Sequence, residues 1–486
     1  LGTQAPLYRT LNPDRTDPLL ARAAGFLEGS VIAGPVRVPG SKSMAQRILA
    51  AASVARGLTR LGGLPSSDDV VGALRCARAL GARFPGGQRP DDPLAAALLR
   101  SGGEGQIVGD PPSPEGAARP WARLEPGESG TCARLFSALG ALARPEGSGS
   151  EVVPAGTLSS RSSGPLFEAL RGAGAGVEPA GAPDRWPALF TAATPRDSVE
   201  LRHPVSSQEV SGLLLAMASH AGERRLRVLG PIPSRGYVDM TVGVLGRFGG
   251  SVRAEALASD TAGEAGTLFT IRGPLTAPAS PFAGEPDASA AAVALAAGVL
   301  TGGERTWVDG IGTGSLQPDV AIVPCLQAFG CSVEGSGRDR LVATGTPSRG
   351  ARIDCGPFPD LAPVLAAVAA FVALRGLGGS ALTGLETLPG KECDRISVLA
   401  TGLRALGLGV EQGSASLTIS DEPPAPGGRR EALQLNPEGD HRMVFFGALL
   451  SLFEARIVCL EPGCVRKSWP GFWKDLAVAG GRLYSS

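Results

Sequence analysis

Lysine is the scarce residue of this 486-residue chain. Of 46 basic side chains only four are Lys (Lys42, Lys391, Lys467 and Lys474), and Arg fills the rest. Histidine has three copies, and the eight Cys form no C-x-x-C pair. That argues against a Cys/His zinc centre, so no metal or cofactor is expected, and the thiols read as buried and reduced in a cytosolic protein. Long apolar runs are missing too. Val364 to Leu374 stops short of a membrane span, and Leu1 to Arg22 is polar, Pro-containing and unlike a signal peptide. Neither sign of charge is in excess, with 46 basic and 46 acidic residues and no long basic run, which disfavours non-specific nucleic-acid binding. What is present is a globular balance, 43% apolar and 19% charged, over a length that suits two or more domains.

The stretch Val38-Pro-Gly-Ser-Lys-Ser-Met-Ala-Gln-Arg47 organises the rest. It follows a strand-like run from Val31 to Val38 and precedes an Ala-rich helical run from Ile48 to Val54. Ser41 or Ser43 can cap the helix, and the free N–H groups and dipole at its start favour an anion. Lys42 stands at this mouth, with Arg47 one turn on, over the same face as Ser43. The competing reading is an ordinary capped helix with a surface cation. Lysine scarcity weighs against it, because a Lys that persists in an Arg-biased chain points to a need for a compact ammonium on a flexible stem.

A repeat recurs along the chain: a helical run closing on Gly, then a short strand-like tail. The six closing residues are Gly81, Gly174, Gly249, Gly330, Gly407 and Gly480, spaced by 73 to 93 residues. Gly suits a left-handed helix stop. Units this long are too large for a thin solenoid and suit six α/β subdomains, three per half, in two similar domains. A Pro-rich linker, Leu275 to Phe282, lies between the third and fourth copies. Pro111 to Ala118, Arg144 to Gly149 and Asp421 to Gly428 read as surface loops, and Gly86 to Asp110 is too irregular to assign.

Further stretches carry chemistry. Glu128-Ser-Gly-Thr-Cys-Ala-Arg134 forms a second anion-favouring helix mouth. Ser206-Ser-Gln208 precedes an apolar helix and serves either as a cap or as a grip on a polyhydroxylated or phosphorylated ligand, and Ser234-Arg-Gly-Tyr237 is a polar turn before another helix. Asp360, after Pro359, is either the N-cap of a helix from Leu361 to Leu374 or a base at its mouth. Pro389-Gly-Lys-Glu-Cys-Asp-Arg395 concentrates charge before a helix, with a solvated face as the alternative. In Asn436-Pro-Glu-Gly-Asp-His-Arg-Met443 a cation at the helix start opposes the dipole, and a bound anion would account for Arg442. Cationic helix starts in both halves, with a few carboxylates, suit an enzyme binding two phosphorylated or carboxylated substrates. No P-loop and no G-x-G-x-x-G after a strand occurs.

Taken jointly and in this order, Gly40-Ser-Lys-Ser-x-x-x-Arg47, Ser129-Gly-Thr-x-x-Arg134, Ser206-Ser-Gln208, Lys391-Glu-x-Asp-Arg395, Asp440-His-Arg-Met443 and Lys467-Ser-x-Pro470 resemble the 3-phosphoshikimate 1-carboxyvinyltransferase (EPSP synthase) family. The resemblance implies an α/β (α+β) fold of two domains, each of three βαβαββ units in an inverse α/β barrel, with the active site in the interdomain cleft. It places the domains at 41–284 and at 1–40 with 285–486. It implies a cytoplasmic monomer without cofactor or metal, acting on small molecules and not on nucleic acid or membrane. The implied reaction moves the enolpyruvyl group of phosphoenolpyruvate to the 5-hydroxyl of 3-phosphoshikimate through a tetrahedral intermediate.

By motif position, Asp360 is the expected proton acceptor and Glu392 the donor, with Lys42 catalytic as well. An acid working near neutral pH needs a raised pKa, which burial can supply. Lys42, Ser43, Arg47, Ser206, Ser207, Gln208, Ser234, Asp360 and Lys391 are expected on 3-phosphoshikimate. Lys42, Gly130, Arg161, Gln208, Arg395, Arg442 and Lys467 are expected on phosphoenolpyruvate. Departures from the family pattern fall at Glu128, Thr157, Ser162 and Pro389, and bear on phosphoenolpyruvate affinity more than on fold. The rival readings are enolpyruvyl transfer to a UDP-amino sugar, opposed by Ser206-Ser-Gln208 and Asp440-His-Arg-Met443, and a catalytically weak binding homologue, opposed by Lys42, Asp360, Glu392 and Lys467. The scarcity argument is tested by Lys42→Arg, which keeps charge but widens the group. Steady-state kinetics should show both Michaelis constants raised and turnover lowered; wild-type kinetics would leave Lys42 a surface cation.

Overall fold

The computed structural model describes residues 9–10, 22–26, 29–85, 104–112, 121–257, 264–337, 339–422, 433–454 and 457–485. The expected loops Pro111 to Ala118 and Asp421 to Gly428 lie outside these residues from positions 113 and 423 on, as do 86–103 of the unassigned stretch and most of Leu1 to Arg22. The chain divides into two compact units, Gly40–Glu285 and Leu1–Pro39 with Pro286–Ser486.

Six small sheets are present among the described residues. Each joins two parallel strands, a strand antiparallel to the second, and a further antiparallel strand or bridge. In Gly40–Glu285, for example, Ala122–Leu124 runs parallel to Gly149–Val152, which pairs antiparallel with Ala188–Thr191 and through it with Gly176–Pro179. The strands Ser198–Arg202, Gly222–Leu229, Gly266–Gly273 and Ser251–Leu257 repeat the pattern. So do Arg352–Asp354, Ser380–Thr383, Leu417–Ile419 and Val410–Gln412 in the other unit. Helices fill the two crossovers, giving βαβαββ.

Some sheets take strands from distant parts of the chain. Phe282–Ala283 runs beside Leu58–Gly62. Of the expected strand Val31 to Val38 only Gly34–Pro35 forms, parallel to Thr306–Asp309. Pro35 and Pro39 interrupt the run, because proline withholds the N–H that a longer ladder needs. Leu483–Ser485 lies between Arg9–Thr10 and Ala23–Phe26, antiparallel to both.

The two helices of each repeat differ in burial. The first helices are Lys42–Val54, Gly130–Leu142 and Ser207–Ala218 in one unit, and Ala288–Leu300, Ala362–Leu374 and His441–Ser451 in the other. They are buried over almost their whole length and pack on one another within each unit. Ala and Gly make the close approach possible: a Cβ on Gly212 would sit 2.9 Å from the Arg134 carbonyl oxygen.

The second helices carry the predicted glycine stops. All six closing glycines have positive φ, from +77° at Gly249 to +117° at Gly480. In every case the next residue's N–H reaches back five positions: Ala82 to Ala77, Ala175 to Leu170, Gly250 to Leu245, Cys331 to Leu326, Leu408 to Leu403 and Gly481 to Leu476. This is one helix-ending hydrogen-bond pattern used six times. The cost of a side chain differs between sites. At Gly174 (φ +111°) an added Cβ finds ordinary space, 3.7 Å from Ala193 Cβ, whereas at Gly480 it runs into the Val31 carbonyl oxygen. Gly174→Ala should therefore cost about 1–2 kcal/mol from backbone strain alone. Gly480→Ala should cost about 3 kcal/mol or more, because the backbone must also shift. Urea denaturation of the two variants checks the order.

Candidate active site

The starts of the three buried first helices gather in each unit, and nearly all the sequence-predicted residues stand on or beside them. In Gly40–Glu285, Ser41 caps the helix Lys42–Val54, its hydroxyl accepting from the Met44 N–H at 3.3 Å. Lys42 Nζ lies 3.0 Å from Asp69 Oδ2, at the start of the following helix. Gln46, one turn after Lys42, donates to Ser129 Oγ at 2.6 Å, and Ser129 caps the helix Gly130–Leu142. Arg47 is fully buried. Its Nε donates to Thr241 Oγ1 at 2.8 Å and its Nη1 to the Ser43 carbonyl at 2.8 Å. Burial pulls this guanidinium down to about 10, still charged at neutral pH. Ser234 (φ +50°) precedes the helix Gly236–Arg247, whose Tyr237 and Thr241 face Arg47.

A second cluster surrounds Gly130. Arg134 Nη1 donates to Gln208 Oε1 at 2.9 Å and Nη2 to the Ser162 carbonyl at 3.0 Å. Ser206 caps the helix Ser207–Ala218 by accepting from the Gln208 N–H at 3.2 Å. Arg161 Nη2 donates to Thr157 Oγ1 at 3.0 Å, which keeps this cation beside the glycine. A Cβ on Gly130 would lie 3.0 Å from Arg134 Nη1, 3.4 Å from Gln208 Oε1 and 3.7 Å from Arg161 Nη1. Glycine thus leaves a small space walled by two guanidiniums and an amide. Beneath it lies Glu209, wholly buried, with Oε1 4.0 Å from Arg134 Nε and Oε2 accepting from the Val205 N–H. Burial pushes the Glu209 carboxyl up to about 7 against the pull of Arg134.

In the other unit, Arg395 is the hub. It is 2% exposed. Nε donates to Asp440 Oδ2 at 2.7 Å, Nη1 to Asp360 Oδ1 at 2.9 Å and Nη2 to Glu392 Oε2 at 2.8 Å. Burial pulls this guanidinium down, but Asp440, Glu392 and Asp360 together lift it well above its ordinary value. Arg442 Nη2 donates to Asp360 Oδ2 at 2.8 Å, and Nη1 to the Asp360 carbonyl at 3.2 Å. Lys391 Nζ stands 3.7 Å from Asp360 Oδ1, its pKa lowered mainly by burial. Lys467 donates to the Gly439 carbonyl at 2.9 Å, next to Asp440.

Two local expectations are corrected here. Asp360 caps no helix: it lies inside the 3-10 turn Pro359–Leu361, and its carboxylate faces Arg395 and Arg442 instead. Arg442 needs no bound anion to offset the helix dipole, because Asp440 caps the helix His441–Ser451 at 2.8 Å from the Arg442 N–H and Asp360 neutralises the side chain. The Asp360–Arg442 contact could not be read locally, because the two residues lie 82 positions apart.

Sequence reasoning also missed Gln46, Asp69, Glu209, Ser289 and Asp319. Gln46 had a signal, a polar residue inside an apolar helix, and Asp319 had one in Pro318-Asp319, which mirrors Pro359-Asp360. Asp69 looked like an ordinary first-turn acid, and Ser289 is hidden in an Ala-rich run.

The chain matches the family described as EPSP synthase (3-phosphoshikimate 1-carboxyvinyltransferase) over residues 27–476. The 3-phosphoshikimate 1-carboxyvinyltransferase of Edwardsiella ictaluri is 31% identical over 448 residues, covering 92% of this chain and 96% of that protein. That of Bordetella parapertussis is 33% identical over 454 residues, covering 90% and 94%. The fold is that of the solved EPSP synthase from Acinetobacter baumannii, with TM-score 0.71, 22% identity and coverage of 96% of this chain and 100% of that one. The enolpyruvyl transferase NikO from Streptomyces tendae shares it, with TM-score 0.63, 18% identity and coverage of 95% and 98%.

The buried carboxyl beneath Gly130 gives a pH test. A carboxyl whose folded pKa, about 7, exceeds the ordinary value of 4.5 favours the fold while protonated. Its contribution is complete below pH 4.5 and is lost as pH rises to about 7. Glu209→Gln should remove that part of the decline, so the melting temperature of the variant should fall less than that of the wild type over this interval. Parallel curves would mean that Glu209 is ionised throughout.

Proposed function

The chain belongs to the EPSP synthase family, and from that premise we propose how its residues divide the chemistry of enolpyruvyl transfer. The protein is an enzyme of the shikimate pathway, a 3-phosphoshikimate 1-carboxyvinyltransferase that moves the enolpyruvyl group of phosphoenolpyruvate to the 5-hydroxyl of 3-phosphoshikimate and releases phosphate.

The observation that carries the residue assignment is the arrangement around Arg395 and Arg442, where cations and candidate proton carriers are already in contact. Asp360 is the base. Two guanidiniums and an ammonium around its oxygens support its ionised form before the substrate hydroxyl gives up its proton. Glu392 is the acid that protonates the enol methylene. In this structure it accepts from Arg395, so that ion pair must loosen before Glu392 can hold a proton. The substrate supplies the means: the carboxylate and phosphate of phosphoenolpyruvate compete for Arg395, Arg442 and Lys467, and a guanidinium drawn to them leaves Glu392. The same cations then face the negative charge that develops during addition.

Lys42, Ser43, Arg47, Ser206, Ser207, Gln208 and Ser234, together with Asp360 and Lys391, hold the phosphate and hydroxyls of 3-phosphoshikimate. Lys42, Gly130, Gln208 and Arg161 add to the phosphoenolpyruvate set. The Lys42–Asp69 pair keeps the ammonium oriented without a ligand, and a dianionic phosphate is a stronger partner for it than one carboxylate. The reading makes the enzyme a cytoplasmic monomer whose partners are the two small molecules.

Phosphate release measured with and without 3-phosphoshikimate tests the activity. Release that does not depend on 3-phosphoshikimate would reject it. Glu392→Gln keeps the shape and removes the acid. It should lower turnover by roughly 10²–10⁴-fold while 3-phosphoshikimate binding, followed by calorimetry, stays close to wild type. Near wild-type turnover would return Glu392 to a structural ion pair.

A further inference from the structure

Behind the Asp360–Arg442 pair lies a second carboxylate that the reaction as described does not use. Asp319 is 2% exposed, within the 3-10 turn Pro318–Ala321. Gln317 fixes this turn against the start of the helix Ala288–Leu300: its Oε1 accepts from the Ala288 N–H at 3.0 Å and its Nε2 donates to the Pro286 carbonyl at 2.8 Å. The fixed turn aims Asp319 at Ser289, whose hydroxyl donates to Asp319 Oδ2. Ser289 Oγ in turn lies 3.4 Å from Arg442 Nη2, the nitrogen that also donates to Asp360 Oδ2 at 2.8 Å. The path Asp319–Ser289–Arg442–Asp360 thus joins two carboxylates through one hydroxyl and one guanidinium.

We propose that Asp319 is a positioning residue for proton abstraction: it orients Ser289 and Arg442 and, through its charge, strengthens Asp360 as a base. The proposal rests on the reading of Asp360 as that base. The charged and titratable groups around Asp319 are Asp360, Arg442, Asp287 and the Cys325 thiol; those around Asp360 also include Arg395 and Lys391. Burial, followed by Asp360, pushes the Asp319 carboxyl up to about 7, with Arg442 and Ser289 opposing. Coupling between two sites is reciprocal, so a charge on Asp319 raises the proton affinity of Asp360 in turn. Asp319 therefore ionises against the charge already on Asp360, and once ionised adds its own charge beside the base.

The sign of the test follows. Asp319→Asn keeps an acceptor for Ser289 and removes the charge, so Asp360 loses the neighbour that raises its proton affinity. The acid limb of kcat against pH should move down by about half a unit or more and become shallower, with kcat on the plateau falling about 3–10-fold as the base weakens. Substrate phosphates ionise in wild type and variant alike, so their contribution cancels in the comparison. Ser289→Ala keeps both charges and cuts the link. It should raise the KM for phosphoenolpyruvate several-fold and leave the acid limb in place. An acid limb of Asp319→Asn that superimposes on the wild type overturns the proposal.

Should Asp319→Asn fail to fold, carboxyl carbon-13 NMR of wild type and Asp360→Asn replaces it. The carboxyl resonance titrating near 7 should move to lower pH when Asp360 is neutralised, and an unmoved titration overturns the proposal equally. Kinetics of Asp360→Asn separate the two ideas. Retained turnover rejects Asp360 as base, whereas lost turnover beside an unmoved Asp319→Asn limb rejects only the positioning role.

Discussion

A guanidinium with five N–H donors can satisfy several carboxylates at once, and the buried Arg395 does so for Asp360, Glu392 and Asp440. The site in this unit depends on that sharing. Three carboxylates so close would otherwise repel one another, and each would tend to take up a proton. Removing the cation from such a cluster costs about 3–5 kcal/mol, much of it because Asp440 is left buried without its cation. Lysine could not replace it, since three donors on a point charge do not reach three acids from one plane. The arrangement is neutralised without being inert: each ion pair is one that an incoming anion can replace.

The other unit reaches a similar end with fewer acids. Among its carboxylates, Asp69 is paired with Lys42, and Glu209 is buried beneath Arg134. The remaining order comes from caps and neutral hydrogen bonds: Ser41, Ser129 and Ser206 each close a helix start, and Gln46 ties one of these to the next. This works because the first helices are small-sided. A helix such as Ala362–Leu374 offers packing with little bulk, so three can approach and bring their starts, with unsatisfied N–H groups and dipole ends, to one region. Core composition and site geometry are therefore one design decision.

The legible parts of this sequence are those where one residue type is required locally. Six glycine stops could be counted because a positive φ restricts the choice at each of them. Three candidate site cations could be found because Lys42, Lys391 and Lys467 stand out in an Arg-rich chain. What stayed hidden is relational. The partner of Arg442 is 82 residues away, and Ser289 matters only because Gln317 holds Asp319 against it. The strands Gly34–Pro35 and Phe282–Ala283 are two residues long, too short for alternation to show, and their neighbours in the sheets come from distant sequence.

One of those distant pairings bears on how the protein is made. Leu483–Ser485 is an interior strand of its sheet, flanked by Arg9–Thr10 and Ala23–Phe26. During synthesis the segment 40–285 emerges as one continuous stretch with its own core, and it can fold while translation proceeds. The earlier strands cannot do the same. Ala23–Phe26 must wait for Ile457–Leu460 and Leu483–Ser485, with its apolar face uncovered until those strands have been made. Any truncation before residue 483 accordingly leaves Ala23–Phe26 without one of its two partner strands, beside a folded segment 40–285.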